Sequence, residues 1–280
     1  PTGGGPAGLY LTNDEKYLYI VNSYTSNLSV IELDTKKEIR RLTVGNNPTG
    51  IAASPDGKTV YITSRRTKGK PYDEEVVCEL AVTDVESKQI IEHKDIKSAY
   101  MLENLAFTPD GELALMPLIR PKNNIPTVQV DRGWMMTNGF AVIEPKEKGR
   151  TFQFLFDEPN KFYADPYDIA ITPDGKRAFI SNSGVDCITV VSIDSVRDLL
   201  ARYTDAELAM YANHLGLSKQ FVIGRIPTGA NPKGIALSSD GNKLYVAEHL
   251  NDKIGVINTE NYLIENTIDL GGPRRVTVAR

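Results

Sequence analysis

Gly50-Ile-Ala-Ala-Ser-Pro-Asp-Gly57 returns three times along the chain, as Asn104-Leu-Ala-Phe-Thr-Pro-Asp-Gly111, Asp168-Ile-Ala-Ile-Thr-Pro-Asp-Gly175 and Gly234-Ile-Ala-Leu-Ser-Ser-Asp-Gly241. A looser copy, Gly8-Leu-Tyr-Leu-Thr-Asn-Asp14, precedes them. Each copy is a short apolar strand running into a turn. Pro presets φ at the first turn position, and Gly accepts the positive φ that a β-carbon resists. A second β-rich run follows every turn: Tyr17-Leu-Tyr-Ile-Val, Thr59-Val-Tyr-Ile-Thr, Leu113-Ala-Leu-Met, Arg177-Ala-Phe-Ile-Ser and Lys243-Leu-Tyr-Val-Ala. A phrase repeating in register signals stacked units.

Two more strands complete each unit. The third strands read Leu28-Ser-Val-Ile, Glu79-Leu-Ala-Val, Gly139-Phe-Ala-Val, Ile188-Thr-Val-Val and Ile254-Gly-Val-Ile; the fourth read Glu38-Ile-Arg-Arg, Gln89-Ile-Ile-Glu, Thr151-Phe-Gln-Phe, Gln220-Phe-Val-Ile and Leu263-Ile-Glu-Asn. Four short antiparallel strands at a period a little above 40 residues predict an all-β fold, a β-propeller of four-stranded blades. A β-sandwich is the alternative, but sandwiches rarely repeat a turn phrase in register. The opening Pro1-Thr-Gly-Gly-Gly-Pro-Ala-Gly matches Pro227-Thr-Gly-Ala-Asn-Pro-Lys-Gly, which follows a fourth strand, and Pro273-Arg-Arg-Val-Thr-Val reads as the start of another first strand. Residues 1–280 are therefore expected to be one propeller region excerpted from a larger chain. The ring is expected to have seven blades, with closure at five as the alternative.

Three units carry insertions. Arg65-Arg-Thr-Lys-Gly-Lys-Pro-Tyr-Asp-Glu-Glu75 and Arg120–Trp134 lie between second and third strands; residues 195–219 lie between the third and fourth strands of the fourth unit. In the last of these, Leu199, Leu200, Tyr203, Leu208, Tyr211 and Leu215 fall at helical spacing, Thr204-Asp-Ala-Glu207 is a capping box, and Gly216 is placed to end a helix. The spacing predicts two short helices on the face of the Pro-Asp-Gly turns, packed on the outer strands of the fourth unit. Loops joining second to third strands share the opposite face with the blade junctions.

The formal net charge of −4 offers no concentrated basic surface for nucleic acid. No apolar run approaches the length of a membrane helix, and Pro1-Thr-Gly-Gly-Gly is not the start of a secretory signal. The two cysteines, Cys78 and Cys187, form neither a disulfide framework nor a metal cluster, and read as buried thiols. No Cys-x-x-Cys-His is present, so the chain attaches no haem c itself. His93, His214 and His249 stand in unrelated contexts, and neither a Ser-His-Asp order nor His-Glu-x-x-His occurs. The turn residues Asp14, Asp56, Asp110, Asp174 and Asp240 are read as turn chemistry in preference to repeated calcium sites. The sharpest constellation is basic and aromatic: Arg65, Arg66, Lys68, Lys70, Arg120, Lys122 and Arg132 with Tyr72, Trp134 and Tyr167, joined at the channel mouth by His249. Such a set suits docking of an acidic or propionate-bearing partner; a solvated loop surface with Trp134 covering a blade end is the plainer reading.

These strand phrases resemble the YVTN-type β-propeller family, as in Thr59-Val-Tyr-Ile-Thr and Leu244-Tyr-Val-Ala-Glu. Ile119-Arg-Pro-Lys-Asn-Asn-Ile-Pro with Gly133-Trp-Met-Met, Leu215-Gly-Leu-Ser-Lys-Gln with Ile226-Pro-Thr-Gly-Ala-Asn-Pro, and Leu270-Gly-Gly-Pro-Arg-Arg resemble propellers fused to di-haem c-type cytochromes of the cytochrome c peroxidase type. The resemblance implies a periplasmic or extracellular redox setting and haem c in a fused domain or partner. It implies a non-catalytic module that scaffolds or docks a di-haem cytochrome. A related arrangement is the hydrazine synthase complex, which pairs a haem-free propeller with a di-haem cytochrome. Two further alternatives are a propeller hydrolase or lactonase with a channel-mouth metal, for which only Glu248 and His249 offer themselves, and a surface adhesion repeat.

Overall fold

The computed structural model describes residues 2–69, 75–121, 135–146 and 149–271. Among them the chain forms five antiparallel sheets of four strands, each ordered as in the sequence. The first blade is β1 (Pro6–Leu11), β2 (Tyr17–Asn22), β3 (Asn27–Glu32) and β4 (Lys37–Thr43). The second is β5 (Pro48–Ala53), β6 (Thr59–Ser64), β7 (Val77–Asp84) and β8 (Gln89–Lys97). The third is β9 (Ala106–Phe107), β10 (Ala114–Pro121), β11 (Met136–Glu144) and β12 (Arg150–Leu155). The fourth is β13 (Pro166–Ile171), β14 (Arg177–Asn182), β15 (Cys187–Ser192) and β16 (Val222–Pro227). The fifth is β17 (Pro232–Leu237), β18 (Lys243–Glu248), β19 (Lys253–Asn258) and β20 (Ile264–Asp269).

Blades stack face to face, so the middle strands are buried on both sides and read as nearly continuous apolar runs. Alternate residues of one strand feed two different cores. Tyr19, Val21, Leu28 and Val30 of the first blade meet Val60 and Ile62 of the second. Leu80, Val82 and Ile96 meet Leu105, Met116 and Leu118. Phe140, Phe154 and Phe156 meet Ile169 and Ile180, while Phe179, Ile188 and Val190 meet Leu244 and Val246. Cys78 and Cys187 sit in two different interfaces, and burial pushes their thiols up to about 12 and about 11. The innermost strands run in succession, β1 against β5 and β13 against β17, with β9 and β10 between. Among the described residues β1 and β17 do not pack as neighbouring inner strands do, so the arc is not closed at five blades. Leu9 and Leu11 on one flank, and Ile264, Ile268 and Leu270 on the other, are exposed.

The turn phrase works as a small hydrogen-bonded device. In every copy a hydroxyl donates to the Asp two residues on, at 2.5–2.6 Å: Thr12 to Asp14, Ser54 to Asp56, Thr108 to Asp110, Thr172 to Asp174 and Ser238 to Asp240. The same carboxylate accepts the backbone N–H two residues further, as from Lys58 to Asp56. Gly57, Gly111, Gly175 and Gly241 take φ of +67° to +74° between them, and Glu15 takes 57° in the glycine-less copy. Blade entry has its own rule: a residue of positive φ stands before the first strand, at Gly5, Asn47, Met101, Asp165 and Asn231. Pro follows all of these except Met101.

The helical insertion differs from expectation in two ways. Helix α1 (Ile193–Arg202) and helix α2 (Asp205–Tyr211) form, the second with the Thr204–Glu207 capping box, but Gly216 ends neither. It lies inside a 3-10 segment, Leu215–Gln220, because α2 has already stopped at Ala212. The apolar stripe also reaches beyond its own blade. Leu199, Leu208, Leu217 and Phe221 join Phe152 and Phe154 of the third blade, and Phe221 meets Phe140 and Phe154 edge-on at 5.6 and 5.7 Å. Arg197 clamps α1 to the third blade's turn through Asp110 and Glu112, both at 2.5 Å. The insertion thus starts on the turn face and climbs the outer strand of the neighbouring blade.

The hydroxyl and amide bonds hold the turn carboxyl of Asp56 below its ordinary value. A depressed folded pKa gives stability that is present above the unfolded value near 4 and is lost as pH falls through the folded value. Urea stability of the chain should therefore weaken on acidification below about pH 4. Asp56→Asn should be less stable at neutral pH and show a shallower acid loss. Chemical denaturation of both proteins across this range checks it, and identical pH profiles would remove the turn from the account.

Candidate functional site at the channel mouth

The face carrying the blade junctions and the second-to-third loops is built by backbone pairing. Each loop returns onto its own blade's entry: Ser23 N–H donates to Gly5 O, Arg65 to Asn47 O, Ser183 to Asp165 O and His249 to Asn231 O, at 2.8–3.1 Å. Amides then cross to the previous blade, Asn47 Nδ2 to Ser23 O and Asn231 Nδ2 to Ser183 O. These bonds seat the bases of the described loops on the scaffold, and binding residues concentrate on such loops.

At the start of the inner strands a cavity of about 330 Å³ is lined by Gly8, Gly50, Glu103, Asn104, Tyr167 and Asp168, among others. These include the first position of the repeated phrase in four blades. Glycine there permits close approach: a β-carbon on Gly50 would stand 2.6 Å from Asn104 Cα, and one on Gly8 2.7 Å from Thr49 O. Asp168 knits three inner strands. Its Oδ1 accepts Asn104 Nδ2 at 2.5 Å and Ile169 N–H at 2.8 Å, and its Oδ2 accepts Ile235 N–H at 2.8 Å. Burial raises this carboxyl, and the three donors oppose the rise.

The basic constellation is split up by the fold. Arg65 lies 2.8 Å through Nε from Oε1 of Glu103, whose side chain is buried. That approach lies outside hydrogen-bond geometry, leaving Oε1 without a hydrogen-bond partner, so the pair is Coulombic. Burial outweighs Arg65 and raises the Glu103 carboxyl. Tyr167 stands beside them, its hydroxyl pushed up by burial and then by Glu103, with Lys233 Nζ 5.4 Å above its ring. Lys68 is claimed by Glu79 at 2.6 Å and Asp95 at 2.7 Å. Burial pushes the Glu79 carboxyl up, but bonds from Lys68 and His93 overcome it and hold it below its ordinary value.

Arg120 points away from the channel mouth. It is half-buried in a crevice of about 440 Å³ between the second and third blades, where it donates to Gln153 Oε1 and, at 3.0 Å, to Asn213 Oδ1 of the helical insertion. Burial lowers its pKa. The climb of the insertion, a long-range contact, turns it there. Arg66 and His249 are exposed on the loops. Lys122, Arg132 and Trp134, with Lys70 and Tyr72, lie outside the described residues.

What sequence reasoning missed is the acidic half of the site. Asn104 and Asp168 occupy the place where the other three copies carry Gly, and that departure from the repeat was the available signal; Glu103 stands at a position that varies from copy to copy, as Ala7, Thr49, Tyr167 and Lys233. Among the described residues no three His, Cys, Asp or Glu side chains converge as metal ligands. Glu248 instead accepts Gly229 N–H at 2.8 Å and is buried, turned from the exposed His249.

Comparison with known proteins agrees with the propeller architecture. No known family profile matches the chain. It is 29% identical over 233 residues to the hydrazine synthase subunit beta of Kuenenia stuttgartiensis, an alignment covering 83% of this chain and 59% of that protein. The chain thus spans less than two thirds of that relative's length. Among solved structures it resembles Kuenenia stuttgartiensis hydrazine synthase, at 27% identity and a TM-score of 0.69, over 91% of this chain and 84% of that one. The β-propeller domain of Myceliophteria thermophila Cps50 (Swd1) aligns over 96% of this chain and 73% of that one at a TM-score of 0.63; its 9% identity speaks to fold alone.

Asp168→Ala leaves three buried donors unanswered and should cost about 3 kcal/mol, read as a shift in urea midpoint. Asp168→Asn retains acceptor capacity on one oxygen and should cost less. Equal and negligible losses would deny the carboxylate its bridging role.

Proposed function

We propose that this chain is a haem-free β-propeller subunit of a multi-haem redox complex, of the kind represented by hydrazine synthase. The observation that carries this reading is the likeness to hydrazine synthase along 91% of the chain, at an identity well above that of propellers which share only the fold. The propeller would serve as a non-catalytic scaffold, with haem c held by a partner subunit and the chemistry done there. Two features support a scaffolding role: Arg65 and Lys68 at the channel mouth are spent on carboxylates of the chain itself, and Glu248 is bound to the blade-entry loop. A periplasmic or extracellular setting belongs to the same reading, since c-type haem is attached outside the cytoplasm.

A second reading keeps the cytochrome on the same polypeptide. The phrases around Ile119, Leu215 and Leu270 favour it, being those that resemble YVTN-type propellers fused to di-haem cytochromes of the peroxidase type.

The test is purification of the native protein under mild conditions, with haem staining, Soret absorbance and peptide mass spectrometry. A c-type cytochrome in fixed stoichiometry, separable on a denaturing gel, is the expected result. Haem stain on the propeller's own band would support the fused arrangement. A native protein free of any stoichiometric haem polypeptide would overturn both.

A further inference from the structure

The crevice that holds Arg120 lies on the outer rim of the propeller, away from the channel mouth. Three elements enclose it: β8 of the second blade, β12 of the third, and α2 of the helical insertion. Its floor is apolar and buried, made by Ile96, Phe152 and Leu208. Above them α2 presents Ala209 and Ala212, and alanine there leaves open a space that a longer side chain would fill. At about 440 Å³ the crevice falls within the size of small-molecule sites, roughly 300–1,000 Å³.

The charge in the crevice is unbalanced at one group. Arg120 is half-buried, and its two described acceptors are neutral amide oxygens, Asn213 Oδ1 at 3.0 Å and Gln153 Oε1. Gln153 is itself fixed, because its Nε2 donates to Lys97 O at 2.6 Å. Arg120 makes no ion pair with any described carboxylate. The neighbouring charges are engaged: Arg150 with Glu144 at 2.6 Å and Asp205 at 3.0 Å, and Asp95 with Lys68 at 2.7 Å. Glu75 is the carboxylate whose field reaches Arg120, but it is exposed and its Oε1 accepts the Ser98 hydroxyl at 2.7 Å. Lys97, exposed at the rim, is a second cation without an ion pair among the described residues. A guanidinium drawn out of water and answered only by neutral amides keeps donors and charge for an anion.

We propose that this crevice binds a small organic acid, a single carboxylate on an apolar body. The carboxylate lies on the Arg120 guanidinium, whose planar fork suits it, and the body lies over Ile96, Phe152 and Leu208. The lining selects this class. A bare inorganic anion would leave the apolar floor uncovered. A dianion or a phosphate would bring a second negative charge against Glu75, Asp95 and Asp205. An apolar cation would meet Arg120. The site is separate from the channel mouth and does not depend on the redox reading above. A bound acid touches β8, β12 and α2 together, so its occupancy ties the insertion to the second and third blades and stabilises the fold by mass action.

Isothermal titration calorimetry of the full chain with octanoate and with phenylacetate tests this, together with the melting temperature in the presence of each acid. At least one of the two should bind saturably, one molecule per chain, and raise the melting temperature. Octylamine and octanol keep the apolar body and change the head group, and should bind about tenfold more weakly than octanoate or not at all. Arg120→Gln removes the charge and keeps an amide for its neighbours; it should weaken the tighter acid about tenfold or more. Ala209→Leu fills the crevice from an exposed helical position and leaves Arg120 in place. It should weaken the acid as much, with little change in the melting temperature of the free protein. If Arg120→Gln does not fold, Ala209→Leu decides alone. Saturable binding of neither acid would overturn the proposal. So would octylamine binding as tightly as octanoate, or an affinity for the tighter acid that neither variant changes.

Discussion

The carboxylate of Asp168 is the interaction on which the inner wall of the propeller turns. It stands among the first strands of three successive blades and accepts an amide from Asn104 before it, its own strand's Ile169 N–H and the backbone of Ile235 after it. Innermost strands have little apolar surface to bury against each other, since the hydrophobic clusters lie further out between the middle strands. Their spacing must come from polar bonds and from atoms that are absent. On the second blade it is the missing β-carbon of Gly50, and on the third to fifth it is the Asn104–Asp168 bridge. A buried carboxylate is costly, and here three donors offset that cost.

This inner geometry sets what the mouth of the channel can do. With the first strands this close, Glu103 is forced under the rim, and Arg65 is drawn inward to meet it. Lys68 is drawn down onto Glu79 and Asp95. Three of the charges that read as a docking patch along the sequence, Arg65, Lys68 and Arg120, are thus engaged within the fold. Among the described residues, Tyr24, Leu250, Arg66, Asp165 and Asp186 stay exposed on this face.

The repeat made most of the architecture legible. The Ser/Thr-x-Asp-Gly phrase is local chemistry, a hydroxyl, a carboxylate and a positive φ within five residues, and so are the strand alternation and the Thr204 capping box. The misreadings were all non-local. Gly216 has the residue type of a helix stop but lies past a helix that had already ended. Phe221 was legible as apolar, while its partners Phe140 and Phe154 belong to another blade. Arg120 lies near the end of β10, on the side of the second-to-third loops, yet Gln153 and Asn213, distant in sequence, hold it in the crevice by the outer strand. Asp168 was visible only as an odd letter in a repeat, because its meaning depends on Asn104 and Ile235.

The measurement that reaches the central claim most directly is native-state hydrogen exchange at the backbone amide of Ile235, which lies in β17 between the exposed Gly234 and Ala236. Bonded to a buried carboxylate, this amide should exchange nearly as slowly as the amides of Phe179 and Ile180 in the middle of the fourth blade, and Asp168→Asn should accelerate it without affecting those two. Exchange of the Ile235 amide at the rate of the exposed loop around His249, in the unaltered protein, would show that the inner strands are not knitted by this carboxylate and would contradict the account.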